Sequence, residues 1–380
     1  MKTVVITQPR LTRYREPLFD ALRERCRSMN IDLHLVHGQT GPADRSKNDE
    51  GHLPWAHRVE NRLFTVGGRE LIWQPLPPLL AGADLLIITQ ENRILSNYPL
   101  LLSRLSSPRK IAWFGHGANF QAARPDGSRE RWKRFLLTRV DAWFAYTERT
   151  RDILLASGYP EQRITVVNNA IDTAGFRADL DAVTPARLNA LRERVGSDGT
   201  APLGLFCGSL YPDKRLDFLV AAAERIRILL PAFKLVVIGD GPDRDYLLEL
   251  IVDKPWIHAT GALYGSDKAA WFRLASVMLN PGLVGLNVLD AFCAGLPLVI
   301  TCDTRHGPEI AYLENGINGS IVSGGIPEYA AVVVDLLKDP ASYDAMCRNA
   351  LASASRYTLD NMVQQFCNGI ERCLATPGKR

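Results

Sequence analysis

Two segments in the second half of the chain place cations and glycines where they suit an anion. In Phe206-Cys207-Gly208-Ser209-Leu210-Tyr211-Pro212-Asp213-Lys214-Arg215, an apolar run ends at Gly208 and two cations follow at the mouth of the next loop. Without a Cβ, Gly208 lets backbone approach a ligand closely. Lys214 offers a mobile point charge and Arg215 a bidentate fork, both matched to phosphate oxygens. In residues 279–301, a buried strand runs into Asn280-Pro281, a helix opens near Gly285, and Pro297 starts the next strand. The amides of Gly285, Leu286 and Asn287 at that helix start, together with the helix dipole, favour an anion. Asp290, one turn further on, can accept hydrogen bonds from sugar hydroxyls. Each segment alone also reads as an ordinary strand–loop–helix unit or a solvated helix start. Together in one sheet they read as one site.

The first half offers fewer such residues. Trp113-Phe114-Gly115-His116-Gly117 ends a strand with an imidazole between two glycines, which leaves His116 exposed or capping the strand. Arg13 and Arg15, in the loop after the first strand, and Asn92, after another, are candidate contacts to a phosphorylated ligand; the arginines equally start a helix. Asp179-Leu180-Asp181 and Asp243-Arg244-Asp245 match an Asp-x-Asp pattern, but one lies in an expected linker and the other opens a helix. No metal site is expected. The seven cysteines are scattered without a Cys-x-x-Cys and read as buried, reduced thiols.

The elements that must hold these residues alternate. Strands are expected at 3–7, 31–37, 84–89, 110–114, 141–146 and 164–167, with helices at 15–28, 97–106, 129–140 and 147–157. The pattern breaks over 173–200 and then restarts, with strands at 203–208, 234–239, 257–260, 276–280 and 297–301. Helices are expected at 216–230, near 243–251, at 266–275, 286–294 and 308–314, and 326–374 is helical throughout. Strands alternating with helices build parallel sheets. The expectation is therefore α/β: two doubly wound, Rossmann-like domains facing each other across a cleft, which is where open α/β sheets bind ligands. The domains are 1–175, a linker at 176–200, and 201–358, with the last helix, about 359–380, packing back on the first.

Charge is uneven. Net charge is +4, but residues 1–200 carry 29 Lys and Arg against 22 Asp and Glu. A basic first half suits phosphates or acidic headgroups, or simply a solvated surface rich in arginine. Trp132, Phe135 and Leu136 at helical spacing among Arg129, Arg131, Lys133 and Arg134 would suit either a sheet face or an anionic membrane. Nothing matches a zinc finger or RNA-binding signature, so nucleic acid is not an expected partner. No apolar run is long enough to cross a membrane as a helix. The opening residues lack the apolar core of a secretory signal, so a cytoplasmic location is expected; the basic first half leaves open contact with the inner face of the plasma membrane.

At this point the sequence resembles glycosyltransferase family 4, retaining enzymes of the GT-B fold. Gly208, Leu210 and Lys214 match its Gly-Arg-Leu-x-x-x-Lys-Gly motif, and Gly285, Leu286, Leu289 and Asp290 match its Glu-x7-Glu segment. Gly239-Asp240-Gly241-Pro242, His306-Gly307-Pro308-Glu309, Asn315 to Gly319, and Val167 to Asp172 resemble further family elements, so the likeness covers nearly the whole chain. Three positions depart from it: Gly282 replaces the first Glu, Asp290 the second, and Ser209 the Arg.

The resemblance implies transfer of a sugar from a nucleotide-diphosphate donor to a hydroxyl, with retention and without a metal or other cofactor. Gly208, Ser209, Lys214, Arg215 and residues 285–287 would hold the donor. Asp290 would take the nucleotide ribose, and His116 would stand beside the donor sugar. The implied acceptor is a glycan or a lipid-linked molecule in bacterial surface polysaccharide or glycolipid assembly. A binding protein that has lost catalysis and a nucleotide-sugar epimerase remain as alternatives. A nicotinamide dehydrogenase does not, since neither domain's first strand leads into Gly-x-Gly-x-x-Gly.

Overall fold

Apolar, β-branched runs of four to seven residues form the centre of two separate sheets, and helices cover them. The computed structural model describes residues 1–41, 49–104, 106–117, 132, 135–197, 199 and 201–376. The chain divides into two units, Met1–Ile171 with Leu359–Arg380, and Asp172–Thr358.

The first unit is built on β1 (Lys2–Gln8), β2 (Ile31–His37), β3 (His57–Arg58), β6 (Leu85–Thr89), β7 (Lys110–Gly115), β8 (Ala142–Ala145) and β9 (Ile164–Val166). Their order is β3-β2-β1-β6-β7-β8-β9, all parallel. Every residue of β6 is buried, as expected for a strand covered on both faces. Helices α1 (Glu16–Ser28), α2 (Asn97–Ser103) and α3 (Glu148–Ala156) belong to this unit. So does the last helix, α12 (Leu359–Ala375), which seats Phe366 against Phe144 and Phe114. Gly369 permits this approach: a Cβ there would lie 2.7 Å from both Phe144 and Thr165 side-chain atoms.

A hairpin, β4 (Arg62–Val66) and β5 (Arg69–Trp73), stands outside this sheet and was not expected from the sequence. Its Gly67-Gly68 turn has positive φ at both residues, the backbone that a two-residue hairpin needs. The hairpin's alternation is blurred because Phe64, Val66 and Trp73 are exposed. The two-residue strand β3 is likewise too short to leave a pattern. Of the helix expected at 129–140, residues 129–131, 133 and 134 lie outside the described residues; Trp132 and 135–137 are helical, and 138–140 are not.

The second unit carries β10 (Leu203–Cys207), β11 (Lys234–Ile238), β12 (Ile257–Gly261), β13 (Val277–Asn280), β14 (Leu298–Thr301) and β15 (Gly319–Val322) in the parallel order β12-β11-β10-β13-β14-β15. The chain winds outward from β10 in one direction and then resumes at β13 in the other. The switch point therefore falls between the ends of β10 and β13, where Gly208 and Pro281 emerge.

Helices α4 (Thr173–Asp181), α5 (Pro185–Arg194), α6 (Leu216–Leu229), α7 (Arg244–Leu250), α8 (Gly265–Leu274), α9 (Asn287–Ala294), α10 (Ile326–Lys338) and α11 (Pro340–Ala354) complete this unit. Instead of a linker over 176–200, the chain folds into α4 and α5. Asp172 and Thr184 cap these helices, and Phe176, Leu180 and Leu191 are buried. Their sparse apolar positions among Arg, Asp and Ala hid the period. The expected helix at 308–314 is a short 3-10 turn, Pro308–Tyr312, and β15 follows it. Cys302 is exposed and Cys347 half-buried, so only five of the free thiols are core residues. No helix among the described residues is long and apolar enough to cross a membrane.

Candidate active site

At the switch point of the second unit, the turn Pro212–Lys214 lies against the loop that follows β13. Leu283 donates its amide to the Asp213 carbonyl at 2.8 Å, and the Lys214 ammonium donates to the Leu283 carbonyl. Gly282 makes this contact possible. A Cβ there would lie 2.4 Å from the Asp213 oxygen and from two backbone carbons of Lys214. The residue that departs most from the family pattern is thus the one that lets the lysine-bearing turn dock.

Lys214 is only 5% exposed and pairs with no carboxylate among the described residues. Burial pulls its pKa down to about 8, against a small opposing pull from Cys207 and Asp213. A buried ammonium without a counter-ion is costly. An anion at this turn would remove that cost.

Asn287 ties the neighbouring helix start to the same strand end, its amide nitrogen donating to the Cys207 carbonyl at 3.0 Å. Its side-chain oxygen accepts from the Gly285 amide at 3.2 Å. This corrects the expectation of three open amides at 285–287, since the helix caps its own first donor. The amides of Leu286 and Asn287 make no hydrogen bond to another described residue.

Arg215 is also corrected as a second open cation. It adopts a left-handed backbone (φ 54°) between the turn and α6, and its guanidinium bonds Thr301, Asp303 and Thr304, with Asp303 at 2.8 Å. Ser209 is exposed and Gly208 half-buried, the latter beside the Lys214 side chain. Asp290, read from the sequence as an open acceptor, is buried and already paired with Lys268, 2.8 Å away.

The first unit gathers His116 and Arg15 around a residue the sequence reading passed over, Tyr146. Gln90 clamps the backbone after β7, accepting from the Gly117 amide at 3.0 Å, and Thr150 donates to the His116 carbonyl. The His116 ring then meets the Tyr146 ring edge-on at 4.2 Å between centroids. The Tyr146 hydroxyl accepts from Arg15 at 2.9 Å, and the buried guanidinium lies over Phe114 and Tyr146. Tyr146 directly follows a buried strand, which was its only signal. Arg13 is exposed, and Asn92 is half-buried with its carbonyl accepting from Tyr98; neither joins this cluster in a described contact. Among the described residues, no group of three or more His, Cys, Asp or Glu comes together as a metal cage.

Two family models match the chain, "Glycosyltransferase Family 4" over residues 18–174 and "Glycosyl transferases group 1" over 201–339. The chain belongs to glycosyltransferase family 4. Among curated relatives of this family member, the alpha-D-kanosaminyltransferase of Streptomyces kanamyceticus is 28% identical over 298 residues, 72% of this chain and 73% of that protein. The alpha-monoglucosyldiacylglycerol synthase of Acholeplasma laidlawii is 23% identical over 199 residues, 51% of this chain. The match spans only 48% of that relative's length, and about half of several others. The fold is GT-B. A Rickettsia africae glycosyltransferase superposes with a TM-score of 0.71 at 13% identity, covering 99% of both chains. An Anabaena protein crystallised with UDP-glucose gives 0.68 at 15% identity, covering 98% of this chain and all of that one.

Proposed function

We propose that this protein transfers a sugar from a nucleotide-diphosphate-sugar to a hydroxyl acceptor. The observation that carries this reading is the buried Lys214 without a carboxylate partner at the switch point of the second unit. In the reaction, the bond from the anomeric carbon to the diphosphate breaks, a bond from that carbon to the acceptor oxygen forms, and the acceptor hydroxyl gives up its proton to the departing diphosphate or to water. Negative charge builds on the departing diphosphate. Lys214 and the amides of Leu286 and Asn287 supply preorganised positive potential for it, and a donor of this kind contributes roughly 3–4 kcal/mol to the transition state. That role needs no metal and no cofactor beyond the donor itself. Asp290 takes the ribose, Gly208 and Ser209 border the diphosphate, and Arg215 braces the Lys214 turn through Asp303.

We assign His116, held by Tyr146, to shaping the sugar side, and Arg15 with Arg13 and Asn92 to the acceptor. Retention of anomeric configuration follows the family resemblance. The kanosaminyl and monoglucosyl names of relatives support a hexose, and the UDP-glucose complex of a neighbour supports its delivery on a nucleoside diphosphate. The acceptor in this reading is a glycan or lipid-linked molecule of surface polysaccharide or glycolipid assembly, reached at an anionic membrane face. Exposed Trp132 and Phe135, stacked at 5.5 Å with Arg139 over Phe135, support that contact.

The test is a thermal-shift screen of UDP, GDP and ADP, followed by product analysis of the matching sugar donors with and without hydroxyl acceptors. Sugar on an acceptor supports the reading. Conversion of donor alone identifies an epimerase, and binding without turnover across donors and acceptors identifies a binding protein.

A further inference from the structure

The buried pair Lys268–Asp290 joins α8 to the first turn of α9. Lys268 Nζ lies 2.8 Å from Asp290 Oδ1, and the two side chains are 19% and 9% exposed. The ammonium also sits over the Phe176 ring at 4.3 Å and the Phe272 ring at 5.7 Å, so it is fixed from below as well as by the carboxylate. Burial pulls the Lys268 pKa down, but Asp290 beside it more than offsets this and leaves it above the ordinary lysine value. The second carboxylate oxygen, Oδ2, has no hydrogen-bond partner among the described residues.

We propose that Lys268 is a positioning residue that pins Asp290 Oδ1, so that Oδ2 is presented to the ribose hydroxyls, and the pair thereby selects ribonucleotide over 2′-deoxyribonucleotide donors. This rests on the assignment of Asp290 to the ribose. A carboxylate on a short side chain has little reach, so its aim decides whether it meets a hydroxyl. Pairing one oxygen with a cation held over two aromatic rings removes the rotamers that would turn the other away. A site built around a buried acceptor rejects a ligand lacking the matching hydroxyl, because the acceptor is then left unpaired. The diphosphate is held elsewhere, by Lys214 and the amides of α9, so Lys268 should act on nucleoside selection and leave diphosphate affinity unchanged.

The experiment is calorimetric titration of UDP, GDP and ADP, each against its 2′-deoxy counterpart, with pyrophosphate as control. The native protein, Lys268→Met, Lys268→Arg and Asp290→Asn are compared, and Lys268→Gln replaces the Met variant should its melting show it unfolded. The native protein should prefer the tightest ribonucleotide about tenfold or more. Lys268→Met or Gln should reduce that ratio to about threefold or less at unchanged pyrophosphate affinity, and Lys268→Arg should restore it. If Asp290→Asn abolishes the preference and Lys268→Met or Gln does not, the role of Lys268 is overturned and the ribose assignment stands. If the native protein shows no preference, or Asp290→Asn keeps it, the ribose assignment itself falls.

Discussion

Restoring the family's glutamate at position 282 should damage this protein. The smallest side chain is already too large there: a Cβ would lie 2.4 Å from an oxygen and two carbons of the Asp213–Lys214 backbone. Ordinary contact begins about 1 Å further out, and main chain cannot rotate aside as a flexible side chain can. Gly282→Ala must therefore push the Pro212–Lys214 turn off the loop after β13, breaking the Leu283–Asp213 and Lys214–Leu283 hydrogen bonds. Overpacking of this kind costs roughly 1–3 kcal/mol. In a domain of this size each kcal/mol lowers the melting temperature by about 2–4 °C. Displacing the lysine also weakens its charge-assisted contact with a diphosphate, worth about 1.5–3 kcal/mol, or roughly 10- to 150-fold in affinity. Differential scanning fluorimetry and calorimetric titration of a nucleoside diphosphate measure both effects on Gly282→Ala and Gly282→Glu. A Glu variant with unchanged melting and raised turnover would refute the reasoning, because the turn would then have room to spare.

Lys214→Ala should lower turnover about 10²- to 10³-fold in a steady-state transfer assay, with melting little changed because the removed ammonium was buried without a counter-ion. Nucleoside diphosphate affinity should be full below pH 8 and fall as pH rises through about 8, where Lys214 loses its proton; titrations from pH 6.5 to 9.5 check this, with Lys214→Arg as the flat control. The stability linkage runs the other way. The unfolded lysine titrates near 10.5 and the folded one near 8, so between these values the unfolded chain binds more protons and this group favours folding increasingly as pH rises. His116→Ala should cut turnover at least tenfold, about 1.4 kcal/mol, without changing nucleoside diphosphate affinity in the same titrations. Gly369→Val should loosen α12 from Phe144 and Thr165, costing roughly 1–3 kcal/mol in chemical denaturation.

Except for β3 and β15, the strands of both sheets were legible because buried parallel strands are continuous apolar runs, and β6 and β10 show this without interruption. Of the candidate site, Lys214 stood out by residue type, and the structure finds it buried without a carboxylate partner among the described residues. What could not be read were relations set by packing. Arg215 is adjacent to Lys214 in sequence, yet its left-handed backbone and Asp303, 88 residues away, decide where its charge goes. Asp290 finds Lys268 from another helix, and Tyr146, 131 residues from Arg15, joins it to His116. Gly282 read only as a missing family glutamate, whereas its lack of a side chain is what the Lys214 turn packs against.

The decisive measurement is a structure of the protein with its preferred nucleoside diphosphate bound. Phosphate oxygens within about 3 Å of the Lys214 ammonium and the Leu286 or Asn287 amides are the predicted result. A diphosphate held elsewhere, with Lys214 still bonded only to Leu283, would contradict the account.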